Sequence, residues 1–111
     1  MSLGLGAYVG KEQLFLDTHQ DKENNLYPNI SQMGFIILRG KSSEIRKTLY
    51  QARDHKIEHT VFLNTMTRGN HFEQLARTKE SLEADLIYYG CVLWGDWDAV
   101  SVFTKRYSLW K

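Results

Sequence analysis

The chain has 111 residues, 42% of them hydrophobic and 24% charged, with a formal net charge of +1. That length suits one domain over residues 1–111, and that composition excludes global disorder. A charge so near zero supplies no long-range field toward DNA or a membrane surface, and the longest apolar run is far short of the ~20 residues a membrane-spanning helix needs.

The chain opens on Gly4-x-Gly6 and Gly10. A phosphate loop needs a strand before it and a helix after it, and the pattern offers neither, so these glycines read as a flexible turn. No basic stretch followed by a long apolar run precedes them, so no secretory leader is expected. A short strand is expected at residues 13–16. The polar segment 17–28 carries the single proline and reads as a loop, with turns at Asn24-Asn25 and Tyr27-Pro28. Its Asp17, Asp21 and Glu23 lack the spacing of a calcium-binding loop, and they read as a solvated acidic loop.

Phe35-Ile36-Ile37-Leu38 is a continuous apolar run, which suits a strand covered on both faces. Gly40 ends it. Ser42 or Ser43 offers a hydroxyl cap and Glu44 favours a first helical turn. Ile45, Leu49 and Ala52 then recur at helical spacing, predicting a helix over residues 43–55. Residues 61–63 form the next strand. Strand, helix and strand in this order predict a βαβ unit with parallel strands and a right-handed crossover. The cations Arg39, Lys41, Arg46, Lys47, Arg53 and Lys56 cluster on this helix and its flanks, interrupted by Glu44 and Asp54. They read as a solvated helix face, and no nucleic-acid partner is expected.

Asn70 followed by Glu73 has the form of a capping box, and Phe72, Leu75 and Ala76 mark one face of the helix it opens. Residues 86–94 form the longest strand, where Gly90 predicts a bulge or a close packing contact. Asp96 caps a short last helix marked by Trp97, Val100 and Phe103. Residues 107–110 suit a final edge strand.

The candidate binding site is the loop of residues 64–71. It leaves the carboxyl end of a strand expected to be parallel and runs into a helix N-terminus, the place where open α/β sheets bind ligands. Backbone N–H groups of residues 70–72 could hold an anion, and Arg68 could grip it bidentately. Asn64, Thr65, Thr67, Asn70 and His71 add hydrogen-bonding groups. A plain strand-to-helix connection with an asparagine cap explains the same residues. No Ser-His-Asp or Cys-His arrangement emerges, so no catalytic residue is assigned and the chain leans away from being an enzyme. His55 and His59 straddle the end of the helix and do not share a face, so no metal is expected; no cofactor motif is present either. Cys91 is the single cysteine, inside an apolar run. It reads as a buried structural thiol in a reducing, cytoplasmic setting.

Together the order of elements, Thr65-Met66 with Thr67-Arg68-Gly69-Asn70, and Gly90-Cys91-Val92-Leu93-Trp94-Gly95 followed by Ala99-Val100 and Thr104-Lys105 carry a family resemblance. They resemble the bacterial domain of unknown function two thousand family, which has the type II peptidyl-tRNA hydrolase-like fold. The resemblance implies a mixed, mostly parallel sheet flanked by helices. It does not imply hydrolase activity. The hydrolases carry a lysine-and-histidine motif on an N-terminal strand and helix that is expected to be missing here. They also carry an aspartate where this chain has Asn64. The leading expectation is therefore a non-catalytic α/β module, structural or ligand-binding. The alternatives are a tRNA-related hydrolase and a protein that binds a small anion or nucleotide at the 64–71 loop. A sheet lacking its N-terminal strand would expose an edge, so a homo-oligomer is expected, with Trp94, Trp97, Tyr107 or Trp110 near the contact.

Overall fold

The computed structural model describes residues 18–28 and 34–111. The strand expected at 13–16 and the opening glycines lie outside that range. Within the described residues six strands and three helices follow in order. They are β1 (His19–Gln20), β2 (Leu26–Tyr27), β3 (Leu38–Arg39), α1 (Ser42–Asp54), β4 (Glu58–Leu63), α2 (His71–Glu80), β5 (Tyr88–Trp94), α3 (Trp97–Thr104) and β6 (Ser108–Leu109). Single 3-10 turns, Asn64–Met66 and Glu83–Asp85, flank α2.

The polar segment expected as a loop is a hairpin, β1 against β2. Its turn is organised by Asp21, whose carboxylate accepts from the backbone N–H groups of Glu23 and Asn25, the Asn25 side-chain amide and the Tyr27 hydroxyl. Asn24 takes a left-handed φ of 69°, a conformation asparagine tolerates.

α1 and β5 build the centre. α1 packs on the β4–β5 pair and buries Thr48, Leu49 and Ala52. The hydroxyl cap expected from Ser42 or Ser43 is not used. Instead Glu44 accepts from the Lys41 N–H at 2.7 Å, and Ser42 Oγ accepts from the Tyr88 N–H at 2.9 Å. A serine at a helix start thus ties the helix to the neighbouring strand. Leu49, Leu63 and Tyr88 form one core cluster; Ala52, Ile57 and Phe103 form a second beneath α3.

The described strands do not show the predicted parallel sheet. β1–β2, β3–β6 and β4–β5 are all antiparallel. β3 and β4, the expected parallel neighbours across α1, lie in different pairs. The expected cover of the first apolar run is also corrected. Only Leu38 and Arg39 join a strand, while Phe35, Ile36 and Ile37 are exposed. An apolar run shows that a strand is affordable there; which strand sits beside it is decided by distant residues. Residues 107–110 do supply an edge strand, since β6 pairs with β3 and the Trp110 N–H donates to the Ile37 carbonyl.

Candidate functional site

β4 ends at Leu63 and the chain turns at once into the 3-10 segment Asn64–Met66. Asn64 is bonded across to the segment entering β5. Its Oδ1 accepts from the Ile87 N–H at 3.0 Å, and its own N–H donates to the Ile87 carbonyl at 3.0 Å. Thr65 is 3% exposed, and its hydroxyl meets that of Thr78 on α2 at 2.7 Å. Thr67 Oγ1 donates to the Asn64 carbonyl at 2.8 Å. These three residues, expected to face a ligand, hold the loop in shape, although Asn64 and Thr67 still border the open surface.

The helix end is closed by the chain itself. Asn70 Oδ1 accepts from the Glu73 N–H at 3.0 Å, and Glu73 Oε2 accepts from the Asn70 N–H at 2.9 Å. This is the capping box its spacing predicts. It also corrects part of the anion reading, because the Asn70 N–H is taken by a carboxylate. Gly69, at φ 77°, makes room for that carboxylate; a Cβ there would overlap Glu73. His71 is exposed, its ring edge-on to Phe72 at 5.8 Å.

What remains open lies on the other side of the loop. Asn64, Thr67, Arg68, Arg77 and Tyr89 line a surface depression of about 350 Å³. Arg77 is set by two hydrogen bonds, to the carbonyls of Thr65 (2.8 Å) and Arg68 (3.2 Å). Neither Arg68 nor Arg77 pairs with a carboxylate among the described residues; the ion pair found there is Arg46 with Glu83, at 3.3 Å. Tyr89 arrives through a bulge. Phe62 pairs with Gly90 and Leu63 with Tyr88, so Tyr89 is the extra residue on β5. The bulge expected from Gly90 is therefore present, and it turns an aromatic ring outward beside the two arginines.

Of the six candidates, the depression joins Asn64, Thr67 and Arg68; Thr65 and Asn70 serve the loop and the helix cap. Arg77 and Tyr89 are absent from the sequence-based site. Arg77 was findable: it shares the polar face of α2 with Gln74 and Thr78, which bond back toward the loop and along the helix. Tyr89 becomes legible only once the register of β4 and β5 is known.

Elsewhere, Arg53, Lys56, Ile57, Glu58 and His59 line a depression of about 270 Å³ at the end of α1. Cations there complement the helix dipole. From the basic cluster, Arg46 is spent internally on the carbonyls of Glu83, Ala84 and Leu86. The hydroxyls of Tyr50 and Tyr88 hold the Glu83 carboxyl below its usual range, helped by Arg46. Burial pushes the Cys91 thiol up to about 11, so it stays protonated and unreactive near neutrality. Among the described residues no group of three or more His, Cys, Asp or Glu could hold a metal ion, and no helix is long and apolar enough to cross a membrane.

The fold and site thus define an α/β chain with an open depression that carries two arginines and a tyrosine. The chain belongs to the family described as "Protein of unknown function (DUF2000)", whose profile matches residues 1–111. A solved structure of a protein of unknown function from Agrobacterium tumefaciens strain C58 shares the fold. It is 17% identical with a TM-score of 0.80, and the alignment covers 99% of this chain and 81% of that one. No curated protein matches the chain.

Proposed function

We propose that this protein is a non-catalytic α/β module that binds a small anionic ligand, of phosphate or nucleotide type, in the depression beside Arg68. The observation that carries this reading is the convergence of Arg68 and Arg77 on one open surface without a paired carboxylate. Two guanidinium groups offer planar, multidentate donors to an oxyanion. Tyr89 adds an aromatic face on which a base or ring could stack, and Asn64 and Thr67 add polar edges.

The peptidyl-tRNA hydrolase-like fold implied by the resemblance belongs to this reading, but no hydrolase residue is carried over from it. Asn64 stands where the resemblance places the hydrolases' aspartate. Its carboxamide cannot act as a carboxylate, and its oxygen is engaged by Ile87. A bacterial, cytoplasmic setting is part of the same proposal, supported by the single, strongly protonated cysteine.

The test is thermal unfolding in a panel of inorganic phosphate and nucleoside monophosphates. A ligand bound to the native state at about 100 times its Kd adds about 2.7 kcal/mol, which raises Tm by several degrees. Arg68→Ala should abolish that rise while leaving the ligand-free stability within about 0.5 kcal/mol of wild type, because the side chain is exposed and bonds to nothing described. A flat Tm across the panel overturns the reading.

A further inference from the structure

α2 faces the wrong way for an ordinary surface helix. Its polar residues point at the domain: Gln74 donates to the Gly69 carbonyl, Arg77 to those of Thr65 and Arg68, and Thr78 meets Thr65. Its apolar residues point out. Phe72, Leu75 and Ala76 stand at i, i+3 and i+4, Lys79 at i+7 continues their face, and all four are exposed, Phe72 by 79% and Leu75 by 55%. No residue of α2 is buried, whereas α1 and α3 both bury core residues. An apolar face turned to water on a helix pinned by its polar face marks a docking surface.

We propose that α2 pairs with α2 of a second copy of this chain, antiparallel, across this face. The stripe is complementary to itself in one direction. About a two-fold axis between Leu75 and Ala76, each Leu75 meets the partner's Ala76, and each Phe72 meets the partner's Lys79. Ala76 permits close approach of the backbones, and the Lys79 stem and ammonium lie over an aromatic ring. His71 of one copy faces the partner's Glu80. Run parallel, the same helices set Lys79 against the partner's Lys79. Leu82, two residues beyond the helix, is a further exposed apolar side chain at that end. The helix carries Glu73 and Glu80 against Arg77 and Lys79. It is therefore neutral, which disfavours an anionic lipid surface as the occupant.

The test is light-scattering mass of the full chain from about 1 to about 100 μM, a span that reveals a micromolar dimer. The proposal expects a dimer whose Kd rises about 30-fold or more in Phe72→Glu and in Leu75→Glu, and rises in Lys79→Glu. Far-UV circular dichroism should match wild type, because these side chains are exposed and none belongs to a core cluster of the described residues. A double variant Trp97→Ser/Trp110→Ser should dimerise as wild type. A monomer at every concentration overturns the proposal; if that monomer also sediments with vesicles, the face is a lipid contact. A dimer that survives both glutamate variants, or that is lost with the tryptophans, overturns it as well.

Discussion

Asp21 gathers four donors onto one carboxylate, and the Asn25 amide and Tyr27 hydroxyl are the strongest causes of its depressed pKa. Its carboxyl is lowered from 3.8 to about 2. A group whose folded pKa is depressed stabilises the fold above its unfolded pKa and loses that contribution as pH falls through the folded one. The hairpin should therefore keep its full Asp21 contribution above pH 3.8 and lose it as pH falls to about 2. Carbon-detected NMR titration of the Asp21 carboxyl checks this, and a midpoint near the ordinary value would refute it. At this same scale the sequence was uneven. Asn70, Glu73 and Asp96 announce their roles by spacing, because a cap is a local hydrogen bond. Ser42 announces the wrong role, because its partner, Tyr88, lies 46 residues away.

At the scale of elements, α2 depends on its cap more than its neighbours do. α1 is anchored by Leu49 and Ala52 in both core clusters. α2 has no buried residue and is tied to the loop before it by hydrogen bonds. Its ten residues fall below the length at which an isolated helix is stable in water. Asn70→Ala should cost about 1 kcal/mol, visible as earlier amide exchange in α2 than in α1. If both helices exchange together, α2 is not a separate weak unit. The loop before it is legible from sequence as a strand-to-helix turn. Its open side is not, because the β5 bulge that delivers Tyr89 is a property of two paired strands.

Over the whole molecule, the core of the described residues is two clusters of three buried side chains, each with half-buried neighbours. Leu49 is the helical member of the first and is 2% exposed. Leu49→Ala should cost about 2–5 kcal/mol, a large share of a typical 5–15 kcal/mol total, and urea unfolding should show the midpoint falling steeply. A loss under about 1 kcal/mol would mean that α1 contributes little to the cooperative core. Against so small a core, the exposed Phe35, Ile36 and Ile37 and the apolar face of α2 are conspicuous. The sequence places the expected oligomer contact near Trp94, Trp97, Tyr107 or Trp110. Tyr107 is engaged by Thr48 and Trp94 is half-buried, while Trp97 and Trp110 stay exposed.

The sequence by itself determined the helices, the caps of α2 and α3, the βα turn at Asn64, the bulge near Gly90 and the family. Each of these rests on neighbours within about one helical turn or on a pattern read along the chain. Tertiary structure alone decided three things. It made the described strand pairs antiparallel, moved the open site from the helix N-terminus to Arg68, Arg77 and Tyr89, and turned the apolar face of α2 outward. The physical reason is common to all three. Periodicity shows that an element has two faces, but which face meets the core depends on hydrogen bonds and packing between residues far apart in the chain.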